Sequence, residues 1–208
     1  MFNNEHRALI KGLQPFVAKE AWPKMMDWAK LEEILNFRPL LTHARVKATD
    51  DFPAIPIVKP AWVTDPATWP VSIFSEFVLK QQTVCLRDLS RLTKEVNQVC
   101  FELEGLFKRP TDMHLFMSLV VGHEGFKKHN DGNHNIIAPQ EGVINVTVYG
   151  EDEELFSEEI VAGDFVFIPA GVYHKVESHT KRFSFSFCTG VEDDPLGFED
   201  RAWVHLGE

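Results

Sequence analysis

Two hydrophobic periods divide the chain. Before residue 110, two segments carry apolar residues every three or four positions; beyond it, short β-type runs succeed one another. Between Lys24 and Phe37, the residues Met25, Trp28, Leu31 and Leu35 form a single helical stripe, ended by Pro39. Residues 1–40 are therefore expected to be helical, with an extended stretch from Leu40 to Val46. Five prolines (Pro53, Pro56, Pro60, Pro66 and Pro70) then exclude a regular helix or a central strand between Pro53 and Pro70. A loop of that length is expected to cover a site. Ser72–Leu79 and Thr83–Leu86 look strand-like. Leu92, Val96, Val99, Cys100, Leu103, Leu106 and Phe107 share one side of a helix, with Ser90 or Thr93 placed to cap it.

Past Pro110 the texture becomes that of short strands: His114–Val121, His134–Ala138, Val143–Tyr149, Glu154–Val161, Phe165–Ile168, Val172–Val176 and Arg182–Cys188. Gly, Pro, Asn and Asp punctuate them. This spacing predicts a mainly β sandwich or barrel with flanking helices. No internal repeat or linker divides the 208 residues. The expectation is a single domain over 1–208, with a helical and Pro-rich extension over 1–80, a barrel core over 80–190 and a tail over 191–208.

Composition narrows the function. Hydrophobic residues make up 44%, enough for a real core, and the formal net charge of −10 gives no electrostatic route to nucleic acid or to an anionic membrane. The first residues carry no apolar leader, and no run approaches the ~20 apolar residues of a membrane span. Cys85, Cys100 and Cys188 are odd in number and lack Cys-x-x-Cys spacing, so reduced, buried thiols in a cytoplasmic protein are expected.

Two patterns carry candidate chemistry. In His129-Asn130-Asp131, residues i and i+2 of an extended segment project from one face, where an imidazole and a carboxylate can hold one ion. In Gly163-Asp164-Phe165-Val166-Phe167-Ile168-Pro169-Ala170-Gly171-Val172-Tyr173-His174, a strand enters a Pro-x-Gly turn and returns with a second histidine. Alone, the first pattern reads as a surface turn and the second as a hydrogen-bonded structural histidine. Together, in a β-rich half-chain, two histidines and one carboxylate make the facial triad of non-haem iron(II) oxygenases, with three octahedral positions left open.

Gly163 to His174 fits the second cupin motif, Gly-x5-Pro-x-Gly-x2-His, without a gap. The stretch Met113 to Asp131 resembles the segment leading into the His-x-Asp of Jumonji-C-type oxygenases, above all their ribosomal-oxygenase branch. The likeness continues through Gly142 and Val148-Tyr149-Gly150, and upstream through Thr83-Val84-Cys85-Leu86 and the 92–107 helix. It covers about residues 80–190. The resemblance implies a double-stranded β-helix, iron(II), 2-oxoglutarate and hydroxylation of an unactivated C–H bond. It makes His129, Asp131 and His174 the metal ligands and catalytic centre, and sets Asn135 beside the co-substrate.

The chain departs from that family at one position. The lysine that usually pairs with the far carboxylate of 2-oxoglutarate corresponds to Ile144. Arg182 is the candidate replacement, eight residues after His174, because other 2-oxoglutarate oxygenases place an arginine similarly, often as Arg-x-Ser. A guanidinium grips a carboxylate through two parallel hydrogen bonds. Alternation places Arg182, Ser184 and Ser186 on a polar face and Phe183, Phe185 and Phe187 on an apolar one, so Ser184 joins Arg182 as a co-substrate residue. A solvated turn arginine is the other reading of Arg182.

Tyr149 and Asn145 are further pocket candidates that fit equally as ordinary strand residues. Lys127 and Lys128 are expected in solvent, His134 at the periphery, and His114 and His123 without a partner at ligand spacing. Cys188 reads as core, since no base accompanies it locally. Glu151-Asp152-Glu153-Glu154 reads as a solvated hairpin tip. The substrate would be a small molecule or a protein side chain, with no nucleic acid or membrane partner. The ribosomal-oxygenase relatives continue into dimerisation and winged-helix regions, for which nothing before Glu208 has room. Two alternatives stand: a metal cupin acting without 2-oxoglutarate, as a dioxygenase or isomerase, and a non-catalytic metal- or ligand-binding cupin.

Overall fold

A computed structural model describes residues 2–36, 45–48, 83–119, 121, 123–124, 127–151 and 153–190. In chain order these form α1 (Asn4–Lys11), β1 (Phe16–Ala18), α2 (Trp28–Asn36), β2 (Arg45–Ala48), β3 (Val84–Arg87), α3 (Lys94–Phe107), β4 (Thr111–Ser118), β5 (His123–Glu124), β6 (His134–Glu141), β7 (Val143–Tyr149), β8 (Glu154–Val161), β9 (Phe165–Ile168), β10 (Tyr173–Ser178) and β11 (Arg182–Thr189). A seven-stranded sheet runs β1-β9-β6-β11-β4-β3-β2, and a four-stranded sheet runs β5-β10-β7-β8. Pairing is antiparallel throughout. The architecture is the mainly β double-stranded β-helix that the resemblance implies, with helices on one side.

Alternation in β11 organises the layers. Phe183, Phe185 and Phe187 are fully buried and face a cluster with Trp22, Leu31, Val96 and Leu103 on the helical side. Trp22 lies 5.5 Å from the Phe187 ring, and Trp28 packs edge-on to Phe183 at 4.9 Å. A second cluster, Ile137, Ile144, Val146, Val148, Ile160, Val166 and Ile168, joins the two sheets. Thr93, not Ser90, caps α3 by accepting from the Val96 N–H at 3.3 Å, and Lys108 ends that helix in a left-handed conformation, φ 59°.

Several boundaries differ from expectation for local reasons. The first forty residues are not wholly helical, because Phe16–Ala18 adds an edge strand against β9. The helix expected from Lys24 starts at Trp28, since the Met25 and Met26 N–H groups donate to Gln140 Oε1 at 2.7 and 3.2 Å instead. β6 continues past Ala138 through Pro139, beside a shift in the β6–β11 register at Phe183/Ser184; an irregularity is where a strand tolerates proline. The expectations for 53–70, Ser72–Leu79 and 191–208 lie outside the described residues. Among the described residues, no helix is long and apolar enough to cross a membrane.

Candidate metal centre

His129 does not lie in a regular strand, as the i, i+2 reading required. A single antiparallel bridge holds it: the His129 N–H donates to the His174 carbonyl at 3.0 Å, and the His174 N–H donates back to the His129 carbonyl at 2.8 Å. The Gly171 N–H, in the Pro-x-Gly turn at φ +80°, donates to the Asp131 carbonyl at 2.8 Å. Glycine suits this turn because it adopts positive φ without strain. The two motifs are thus stitched together through backbone amides.

The side chains then converge. His174 Nε2 lies 3.5 Å from Asp131 Oδ2, His129 Nε2 lies 3.9 Å from Asp131 Oδ1, and one ligand atom from each residue falls within 4.8 Å of the others. Nδ1 of His129 is 2.7 Å from the Lys127 carbonyl, and Nδ1 of His174 is 3.1 Å from the Val172 carbonyl. Each contact assigns the ring proton to Nδ1 and leaves the Nε2 lone pair facing its partners. Burial, only partly offset by Asp131, holds His174 below the ordinary imidazole range, so that ring is neutral near pH 7. Asn135 Nδ2 donates to Asp131 Oδ2 at 2.6 Å and fixes that carboxylate. Two imidazoles and one oriented carboxylate suit a divalent metal ion.

The triad shares one cavity of about 530 Å³ with Asn135, Arg182, Ser184 and Ser186. Arg182 is 2% exposed, and its donors reach only hydroxyls: Ser184 Oγ at 3.5 Å and Thr83 Oγ1 at 3.3 Å. Its Nε has no partner, and no carboxylate among the described residues pairs with it. Burial pushes the guanidinium down to about 10, which still leaves it charged. A solvated turn arginine is therefore excluded. Gly142 helps seat it: at φ +79°, a side chain there would collide with the Lys181 carbonyl and approach Arg182 Cβ to 2.9 Å. Ile144, at the family's lysine position, is fully buried in the inter-sheet cluster.

Other candidates sort clearly. Tyr149 and Asn145 do not line the cavity; Asn145 Nδ2 donates to Ser157 Oγ at 3.1 Å on the solvent side. Lys127 and Lys128 are exposed yet edge the cavity, with the Lys128 ammonium 3.9 Å from the Tyr149 ring centre. His134 is peripheral, stacked on Phe107 at 4.9 Å and accepting from the Ala170 N–H at 3.0 Å. Two expectations need correction. His114 has partners, and Cys188 has a base beside it: Cys188 Sγ lies 3.5 Å from His114 Nδ1, and His114 Nε2 lies 3.2 Å from Asp112 Oδ2. The Asp112-Met113-His114 spacing was the only available signal. It is the i, i+2 pattern of His129-Asn130-Asp131 in reverse, and its third member stands on another strand.

No protein-family profile matches this chain, and no curated protein is similar to it in sequence. Solved structures do share its fold. The ribosomal oxygenase YcfD of Escherichia coli superposes with a TM-score of 0.59 at 15% identity, over 92% of this chain and 52% of that one. YcfD in complex with cobalt and 2-oxoglutarate gives 0.55 at 16% identity, over 86% and 48%. Its complex with cobalt and succinic acid gives 0.56 at 16%, over the same shares. The chain thus spans about half the length of these structures, and at such identity the likeness shows the fold.

Proposed function

We propose that the chain is an iron(II)- and 2-oxoglutarate-dependent oxygenase, hydroxylating a small molecule or a protein side chain while 2-oxoglutarate is decarboxylated to succinate. The observation that carries this reading is a buried, charged Arg182 with no counter-ion among the described residues, in the same cavity as the triad. A buried guanidinium without a carboxylate is unfavourable unless a ligand supplies one.

His129, Asp131 and His174 would hold the ion, with Asn135 keeping Asp131 aimed. When bound, the metal supplies oxygen activation and electron transfer. The chain's own share is geometric. Arg182 and Ser184 take the far carboxylate, and Ile137 and Val176, at the edge of the apolar inter-sheet cluster, line the cavity. Ile144 has surrendered the family's cation, and Arg182 supplies it from another strand. The three described cysteines are buried, which fits a reducing cytoplasmic setting.

The test is spectroscopic first. Anaerobic protein loaded with iron(II) should develop a visible charge-transfer band on adding 2-oxoglutarate, and succinate should form in air. His129→Ala should abolish both, and Arg182→Ala should weaken 2-oxoglutarate binding on the order of a hundredfold. Metal binding with no band at any 2-oxoglutarate concentration would overturn the co-substrate and favour a cupin that acts on its substrate directly, the reading that Ile144 favours.

A further inference from the structure

The wall of the cavity carries a second set of reactive groups that the metal chemistry does not use. Asp112 and His114 lie two apart on β4 and share a face; Cys188 on β11 pairs in register with Asp112. The three side chains form a line: Cys188 Sγ to His114 Nδ1 at 3.5 Å, then His114 Nε2 to Asp112 Oδ2 at 3.2 Å. Asp112 is anchored as well, its oxygens accepting from the Asp88 N–H at 3.0 Å and the Ser90 N–H at 3.2 Å. Cys188 and His114 both line the cavity, so a small molecule inside it meets the sulfur.

A thiol that merely fills core needs no imidazole, still less one backed by a buried carboxylate. Thiol, imidazole and carboxylate in sequence is an arrangement in which a base holds the thiol proton and a nearby carboxylate favours the protonated base; the Asp112 contact is at ion-pair distance, outside hydrogen-bond geometry. Burial alone would drive His114 down, but its contacts with Cys188 and Asp112 outweigh that and raise the ring to about 9.

We propose that Cys188 is a covalent modification site, a nucleophilic thiol that reacts through the cavity with hydrogen peroxide. His114 holds the thiol proton. The sulfur attacks one peroxide oxygen, an S–O bond forms and the O–O bond breaks. Sulfur is oxidised by two electrons to the sulfenic acid. The departing hydroxide takes the proton held by His114 and leaves as water. The product's hydroxyl has acceptors ready, since His114 Nδ1 and Ser186 Oγ lie 3.5 and 3.8 Å from the sulfur. Cys188 also pairs in register with Asn135, the residue that aims Asp131. Oxidation would therefore weaken divalent-ion binding as well; that consequence rests on the proposed metal centre, whereas the modification does not.

The metal-free protein, in chelator at pH 7, would be treated with limiting hydrogen peroxide, trapped with dimedone and mapped by peptide mass. Cys188 should carry the adduct on the order of tenfold faster than Cys85, because an imidazole stands 3.5 Å away to take its proton. Cys85 lines the same cavity and controls for access. His114→Gln should bring Cys188 down to the Cys85 rate, with the thermal midpoint confirming that the variant folds. A second comparison needs no variant: Cys188 should react faster in the folded chain than in urea. A rate no greater than that of Cys85, or a faster reaction on unfolding, would overturn the proposal. A Cys188 adduct that leaves cobalt(II) affinity unchanged would remove only the coupling to the metal centre.

Discussion

Strands β11 and β8 are both eight residues long, yet they live in different surroundings. Every residue of β11 is buried, whereas in β8 only Ile160 is. In β8 the carboxylates of Glu154, Glu158 and Glu159 are all exposed to water. The polar half of β11, with Arg182, Ser184 and Ser186, faces a cavity, while its phenylalanines face a helix-covered layer. Alternation tells which residues share a face; it does not tell which face is wet. Polar groups kept on a dry strand must find partners or serve chemistry, and those on a wet strand need neither.

The largest expected difference is in stability. Phe185→Ala on β11 should cost about 3–5 kcal/mol, and Glu158→Ala on β8 should stay within about 0.5 kcal/mol, both read from urea denaturation. Equal losses would break the contrast. Next comes the metal centre. Asn135→Ala on β6 should lower cobalt(II) affinity by about 10–100-fold by titration calorimetry, whereas Asn145→Ala, bonded to Ser157 on the solvent side, should leave it unchanged. A smaller effect, with inverted sign, is expected for Arg182→Met. Removing a buried cation that has no counter-ion among the described residues should raise stability by about 1 kcal/mol while 2-oxoglutarate binding is lost, as seen by comparing denaturation with the charge-transfer band.

The smallest effect is in the pH response of two histidines. His114 is raised from 6.5 to about 9, and His134 is lowered by burial. Raised in the fold, His114 contributes stability in full below 6.5 and loses it as pH climbs through about 9. His134 does the reverse: its contribution is present above the unfolded value and fades as pH falls through its depressed one. Histidine NMR titrations should separate them, with His114→Gln flattening the alkaline limb of the stability curve.

Much of this was legible along the chain. The strands Val143–Tyr149, Glu154–Val161 and Phe165–Ile168 fall where short β-type runs between turn residues put them. The triad residues were legible because their spacing is local and their turn is distinctive. What escaped depended on contacts distant in sequence. Phe16–Ala18 becomes a strand only because β9 offers it an edge, and α2 begins late only because Gln140 captures two amides that would otherwise enter the helix. The Asp112–His114–Cys188 line was invisible for the same reason: two members are neighbours, and the third arrives from β11, its sulfur 3.5 Å from the ring.

The paired amides between His129 and His174 have a consequence for assembly. A ring closed by main-chain atoms does not wait for an ion to draw its ends together. Metal would therefore enter a seat already formed, with little conformational entropy left to lose, and a chelated sample should keep its barrel and refill quickly when the ion returns.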